Sequence, residues 1–265
     1  MKKITGCVLV VALVLLSVSV APAGTVMDRI VKRGELVIGT TASQPPMIAT
    51  SKTGQIIGFD ADIARSIADG MGVKLTFKTM PFAQLLPALE KGQVDMIISG
   101  MTMLPARNLK VAFVGPYFVS GKGILTKEKN IAALQEAAGL DRAEFTVAAL
   151  KNSTSQIFVE KAAPNAKLVT TASYDAAIEL LLQDKVDALV ADFPFCALSA
   201  FRHGDKGLMA GQSKLTFEPL GIAMAEDTLL INWVQNHMIT LDGSGVLNRI
   251  AGFWLGNSSW IKELP

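Results

Sequence analysis

One ten-residue unit occurs twice in this chain, and it limits the folds open to it more than any other feature. Leu89-Glu90-Lys91-Gly92-Gln93-Val94-Asp95-Met96-Ile97-Ile98 aligns with Leu181-Leu182-Gln183-Asp184-Lys185-Val186-Asp187-Ala188-Leu189-Val190, 92 residues further on. Each copy reads as the end of a helix, a polar turn, Val-Asp and an apolar run. A short run with no polar alternation is a strand buried on both faces. The spacing is too long for a solenoid or propeller, whose periods lie at roughly 20–50 residues, so the repeat implies two lobes of related architecture. Around the first copy, strand and helix signals alternate. Glu35–Thr40 is strand-like, Pro45 and Pro46 mark a turn, and Ile63, Ile67 and Met71 share one helical face. Val73–Thr79 is again strand-like, Phe82–Lys91 helical, and Val94–Ser99 a buried strand. This rhythm predicts an α/β fold whose strands are mostly parallel. Asp60 stands where the N-cap of the helix carrying Ile63 is expected, and Gly72 where that helix stops.

In open α/β sheets, ligands bind beyond the carboxyl ends of the strands. Those ends carry Ser99-Gly100-Met101-Thr102 in one unit and Ala191-Asp192 in the other, so the repeat points to two facing half-sites. Gly100 and Thr102 offer backbone N–H groups and a hydroxyl. Arg107 follows five residues after Thr102, with a planar fork that matches a carboxylate in two charge-assisted bonds. The plain alternative is a surface arginine on a short helix begun by Pro105. Asn152-Ser153-Thr154-Ser155 is a second donor cluster, between the strand Phe145–Leu150 and the helix carrying Ile157 and Phe158; helix capping and anion binding use the same N–H groups. Asp192 ends a buried strand among apolar neighbours and needs a partner, either an internal donor or a ligand ammonium. Together these groups suit a zwitterion, with Arg107, Thr102 and Thr154 on a carboxylate and Asp192 on an ammonium.

Composition removes other classes of function. The chain is 265 residues long, 50% hydrophobic, and has 25 basic against 23 acidic residues, which gives no polybasic signature for nucleic acid. Lys2 and Lys3, the uncharged run Val8–Val20, and Ala21-Pro22-Ala23 read as a secretory leader cleaved near Ala23. Without those two lysines the acidic and basic residues balance. Cys7 leaves with the leader, so Cys196 stands alone and reads as a buried, inert thiol. There is no G-x-S-x-G elbow, and Gly121-Lys122-Gly123 lacks the spacing and hydroxyl of a phosphate-binding loop. His203 reads as a loop residue and His237 as a helical surface residue; neither suits a general base, and metal ligands are scarce. No cofactor or metal is expected.

Gly58-Phe59-Asp60-Ala61-Asp62-Ile63-Ala64, Leu85-Leu86-Pro87-Ala88-Leu89, Gly92-Gln93-Val94-Asp95, and Thr102 through Arg107 into Gly115-Pro116-Tyr117 resemble the family 3 extracellular solute-binding proteins, the polar amino-acid receptors of ABC importers. The resemblance implies a two-lobed periplasmic-binding-protein fold: α/β lobes, each a mixed, mostly parallel sheet flanked by helices, joined by two hinge strands and closing on ligand. It places lobe 1 at residues 24–119 plus 220–265 and lobe 2 at 120–219, with crossings near Phe118–Gly121 and Glu218–Gly221. It assigns a ligand carboxylate to Arg107, Thr102 and Thr154, an α-ammonium to Asp192, and an apolar packing role to Phe82, with Gly100 on the same strand end. It further implies a periplasmic protein whose partners are a small amino acid and the membrane subunits of an ABC permease; nothing in the sequence suggests more than a monomer.

Four positions depart from the family pattern, one of them Gly100, where some members carry serine. Thr41 stands where many binders of cationic amino acids carry Asp, and Gln44 where an aromatic residue commonly covers the ligand; Met47 replaces a frequent Phe. Without an acid at Thr41 a cationic side chain loses its main counter-charge, so a neutral amino acid is the expected ligand. Cyclohexadienyl dehydratases resemble the same fold but use a carboxylate three residues after the Asp192 position; Phe195 stands there and transfers no proton. A sensor that passes occupancy to a receptor is the remaining alternative.

Overall fold

The structure is a computed structural model that describes residues 25–265; the expected leader and its cleavage point near Ala23 lie outside these residues. Helix α1 (Val26–Arg33) starts with a reciprocal capping box between Thr25 and Asp28 and stops at Gly34, which takes the left-handed conformation. Strand β1 (Glu35–Thr40) follows, then β2 (Ser43–Gln44), β3 (Ile48–Thr50) and β4 (Ile56–Ile57), which form a small antiparallel sheet. Helix α2 (Phe59–Met71), β5 (Lys74–Thr79), α3 (Phe82–Glu90), β6 (Met96–Ile97), α4 (Pro105–Asn108) and β7 (Ala112–Ser120) come next. Gly121 alone separates β7 from β8 (Lys122–Thr126). The chain continues through α5 (Lys129–Ala132), β9 (Thr146–Leu150), α6 (Thr154–Ala162), β10 (Lys167–Thr171), α7 (Tyr174–Leu182), β11 (Ala188–Asp192), α8 (Phe193–Arg202) and β12 (Met209–Ala210). It ends with β13 (Glu218–Met224), α9 (Thr228–Gly243) and α10 (Val246–Gly256). Among the described residues no helix is long and apolar enough to cross a membrane.

Two five-stranded sheets result, ordered β5-β1-β6-β13-β7 and β10-β9-β11-β8-β12. Each has two parallel and two antiparallel pairings. The sheets are thus mixed and mostly parallel as expected: in each, four of the five strands run one way and only β13 or β8 runs against them. The α/β rhythm governs β1, β5 and β6, and β9, β10 and β11. The added strands β7, β8, β12 and β13 run antiparallel to their neighbours, and none of these four is part of the βα rhythm read from the sequence.

The repeated unit has one physical explanation in both lobes. Asp95 donates its N–H to the Val37 carbonyl at 2.8 Å and accepts the Val37 N–H on its carboxylate at 2.8 Å. Asp187 does the same with Thr146, at 2.8 and 2.7 Å. Each aspartate therefore fixes the register of its strand on the parallel neighbour, β6 on β1 and β11 on β9. The turns before them match as well: Gly92 and Asp184 both have positive φ and bond back to the last turn of α3 and α7.

The apolar faces pack as their periodicity predicts. Ile63 and Ile67 of α2 are fully buried with Leu36, Ile38 and Met96 in one cluster, each contributing roughly 1.5–3 kcal/mol by leaving water. Gly72 ends α2 in the left-handed conformation, as read from the sequence. Asp60 is not its cap. Gly58 holds that position, and a Cβ there would lie 2.3 Å from the Met47 carbonyl. Asp60 instead sits inside the first turn, wholly buried.

Candidate functional site

The carboxyl ends of β6 and β11 face each other across the lobes. Past β6 the chain turns at Gly100, whose φ of +58° suits a residue without Cβ. The Gly100 N–H donates to the Asp60 carboxylate at 2.7 Å, and the Tyr117 hydroxyl donates to the other Asp60 oxygen at 3.0 Å. Gly100 thus spends inside the lobe the N–H that the sequence offered as a free donor. Burial pushes the Asp60 carboxyl up to about 7, against the lowering effect of its two donors.

Thr102 forms a single bridge with Leu220 of β13. Its hydroxyl donates to Glu218 Oε2 at 2.7 Å and lies 3.3 Å from the Thr154 hydroxyl of the opposite lobe. Thr154 is the first residue of α6. Ser153 caps the N–H groups of Ser155 and Gln156, and the Thr154 N–H belongs to the first turn, which has no acceptor within the helix.

Arg107 is not a surface residue. It is 8% exposed on α4, which Pro105 opens. Its guanidinium donates to the Thr102 carbonyl at 2.9 Å and the Asn152 carbonyl at 3.4 Å, and lies 5.5 Å from the centroid of the Phe82 ring. No carboxylate among the described residues reaches it within ion-pair distance. Burial pulls its pKa down, partly offset by Glu218 and Asp192 nearby. A buried cation held only by carbonyls and a ring face keeps its full charge uncompensated by an anion in contact with it.

Asp192 ends β11 and is 4% exposed. Its Oδ1 accepts from Lys122 Nζ at 2.7 Å and its Oδ2 from the Gln44 carboxamide at 2.5 Å. Lys122 is 1% exposed and also lies 3.6 Å from Glu218. Lys122 and Asp192 are direct partners in the antiparallel β8–β11 ladder, which puts both side chains on one face.

The structure therefore brings Arg107, Thr102, Thr154, Asp192, Gln44, Phe82 and Gly100 into one contact network. Three hydrogen bonds of this network join the lobes: Gln44 to Asp192, Thr102 to Thr154, and Arg107 to Asn152; outside it, Arg202 also donates to the Pro265 carbonyl. Thr41 stays outside it; its N–H and hydroxyl bond to Ser99, and it lines a cavity between the lobes with Pro81 and Ser173. Sequence reasoning missed Lys122 and Glu218. Their signal was a charged side chain in the hinge segments, at Gly121-Lys122-Gly123 and at the start of β13, where solvated charges are not expected. Cys196 is fully buried, and burial pushes its thiol up to about 12, in line with an inert thiol. His237 is half-buried, stacked on Trp233 and bonded to the Ser66 hydroxyl, so it is less of a surface residue than its helix suggested.

Two α/β lobes meeting over a buried cation at one end and paired carboxylates at the other define a two-lobed periplasmic binding protein. The chain belongs to the bacterial extracellular solute-binding proteins, family 3, which it matches over residues 36–257. It is 29% identical over 226 residues to the arginine-binding periplasmic protein of Mannheimia haemolytica, covering 83% of this chain and 91% of that one. It is 29% identical over 211 residues to the glutamine-binding protein of Geobacillus stearothermophilus, covering 78% and 79%. Its fold superimposes with a TM-score of 0.80, at 33% identity, on a crystal structure of an ancestral amino acid-binding protein described as a precursor of cyclohexadienyl dehydratase; 88% of this chain and all of that one are covered.

Proposed function

We propose that this protein is exported to the periplasm, captures a neutral amino acid between its lobes and delivers it to an ABC permease. One observation carries the choice of ligand: the polarity of the cleft. At one end the buried Arg107 has no carboxylate partner within ion-pair distance. At the other, Asp192 and Glu218 share a single cation, Lys122, and keep one formal negative charge in excess. A zwitterion satisfies both ends, its carboxylate on Arg107 with Thr102 and Thr154, and its ammonium beside Asp192 and Glu218. A third, cationic group on the ligand finds no carboxylate left over, and Thr41 supplies none.

Ligand stabilises closure because its two charged ends contact different lobes, and expulsion of water strengthens those contacts. Relatives that are named for arginine and glutamine fit an amino-acid receptor of this kind. The dehydratase alternative lacks its acid: Phe195 is 2% exposed and stacked 4.4 Å from Tyr174. Thermal unfolding against a panel of amino acids tests the reading. A ligand at 100 times its Kd adds about 2.7 kcal/mol, and the expected shifts come from neutral amino acids. Shifts from amine-free acids alone would overturn the ammonium role of Asp192, and equal or larger shifts from arginine and lysine would overturn the neutral ligand.

A further inference from the structure

We propose that Lys122 is a specificity-determining residue: it supplies, from the protein itself, the second cation that a basic amino acid would otherwise bring. The inference rests on the amino-acid reading of the same cleft and deepens it. Lys122 is fixed where it stands. Its backbone N–H donates to the Thr216 hydroxyl at 2.9 Å. It lies between two closely packed glycines: a Cβ on Gly121 would meet the Thr216 carbonyl at 2.5 Å, which leaves it no room, and one on Gly123 would press on the Phe193 Cα at 3.1 Å. The β8–β11 register then delivers Nζ to Asp192 at 2.7 Å, with Glu218 at 3.6 Å. Glu218 is held in turn by the Thr102 and Thr216 hydroxyls, at 2.7 and 3.1 Å.

The charge count follows. Two carboxylates minus one lysine leave room for one ligand cation, which the α-ammonium fills. Arginine or lysine as ligand would set its side-chain cation, its α-ammonium and Lys122 against Asp192 and Glu218, with the Arg107 charge already matched by the α-carboxylate. One buried positive charge stays unpaired, and that is the penalised arrangement in a water-free site. Removing the Lys122 charge leaves Asp192 and Glu218 without a cation from the protein. A basic amino acid then restores the balance that the lysine held.

The test measures Kd for L-glutamine and L-arginine by calorimetry, with a melting curve for every variant to establish folding. The wild type should favour glutamine by at least about tenfold. Lys122→Met should move the ratio toward arginine by at least about tenfold, while Lys122→Arg, which keeps the charge, should not. Lys122→Met combined with Glu218→Gln has the wild-type charge count and should again reject arginine. Should Lys122→Met not fold, Lys122→Gln, which keeps a donor toward Asp192, takes its place with the same expectation. An unchanged ratio in the folded single variant overturns the proposal, and so does a double variant that accepts arginine, because the charge count would then not decide. A wild type that binds no amino acid, or prefers arginine, defeats the underlying reading instead, whatever the variants do.

Discussion

The carboxylate of Asp60 takes the backbone N–H of Gly100 at 2.7 Å, forty residues along the chain, and so ties the first turn of α2 to the loop that forms one wall of the cleft. Its other oxygen takes the Tyr117 hydroxyl at 3.0 Å, at the approach to the hinge. Removing the carboxylate leaves two buried donors unpaired, each worth about 1–3 kcal/mol. Asp60→Ala should therefore lower stability by roughly 2–5 kcal/mol in chemical denaturation, well beyond a lost helix cap. A loss of only a few tenths would mean that the loop finds other acceptors.

The same carboxyl makes stability depend on pH with a sign opposite to that of an exposed ion pair. Burial raises its folded pKa from 3.8 to about 7. The folded state then binds more protons than the unfolded one between these values, so this group's contribution falls as pH rises from about 4 to about 7. Asp60→Asn, which stays neutral, should flatten that fall in unfolding free energies measured at pH 5 and pH 8. Parallel pH profiles for wild type and variant would show that Asp60 is not the titrating group.

Arg107 has carbonyls and a ring face as partners, and on the proposed reading a ligand carboxylate supplies its counter-charge. Arg107→Ala should weaken amino-acid binding at least about a hundredfold, since an unpaired buried carboxylate costs on the order of 3–5 kcal/mol. Arg107→Lys keeps the charge but loses the planar fork and should recover only part of the affinity. Calorimetry on both variants checks this, and an unchanged Kd in Arg107→Ala would place the carboxylate elsewhere.

Gly100→Ala is a small change with two penalties. Its φ of +58° is left-handed, costing roughly 1–2 kcal/mol for a residue with Cβ. The new Cβ would also stand 3.0 Å from the Gln44 amide nitrogen, which holds Asp192 across the lobes. A drop in melting temperature together with weaker ligand binding is expected. Weaker stability with unaltered affinity would remove the Gln44–Asp192 contact from ligand closure.

The two register aspartates offer a test of the lobes as related units. Asp187→Ala strands the Thr146 N–H and Asp95→Ala the Val37 N–H. Each should cost about 1–3 kcal/mol, more for Asp95 because Arg33 and Arg29 also pair with it. The two share no partner, so their effects should add within about 0.5 kcal/mol in the double variant. Clear non-additivity would mean that the two clamps are coupled through the closed lobes.

Much of this architecture was legible because it is local. The alternation of apolar runs with helical periodicity placed β1, α2, β5 and α3 near their observed limits, and Gly72 marked the end of α2. The repeated Val-Asp unit announced two lobes, since the same short-range constraint, an aspartate bonding its neighbouring strand twice, recurs in each. The candidate groups at Thr102, Arg107, Thr154 and Asp192 could be named because strand ends in such sheets converge. Asp60 was misread for the same reason: a polar residue ahead of an apolar helix looks like a cap, and nothing nearby in the chain reveals Gly100 and Tyr117 as its partners.

The sequence alone thus determined element types, the twofold plan and the edge of the sheets where ligand chemistry belongs, because those follow from periodicities of a few residues. Only the tertiary structure decided who pairs with whom in the cleft. Lys122 meets Asp192 over 70 residues, Thr102 meets Glu218 over 116, and Gln44 meets Asp192 over 148. Such pairs leave no periodic trace, since a buried charge is compatible with its strand only once a distant partner has been folded against it.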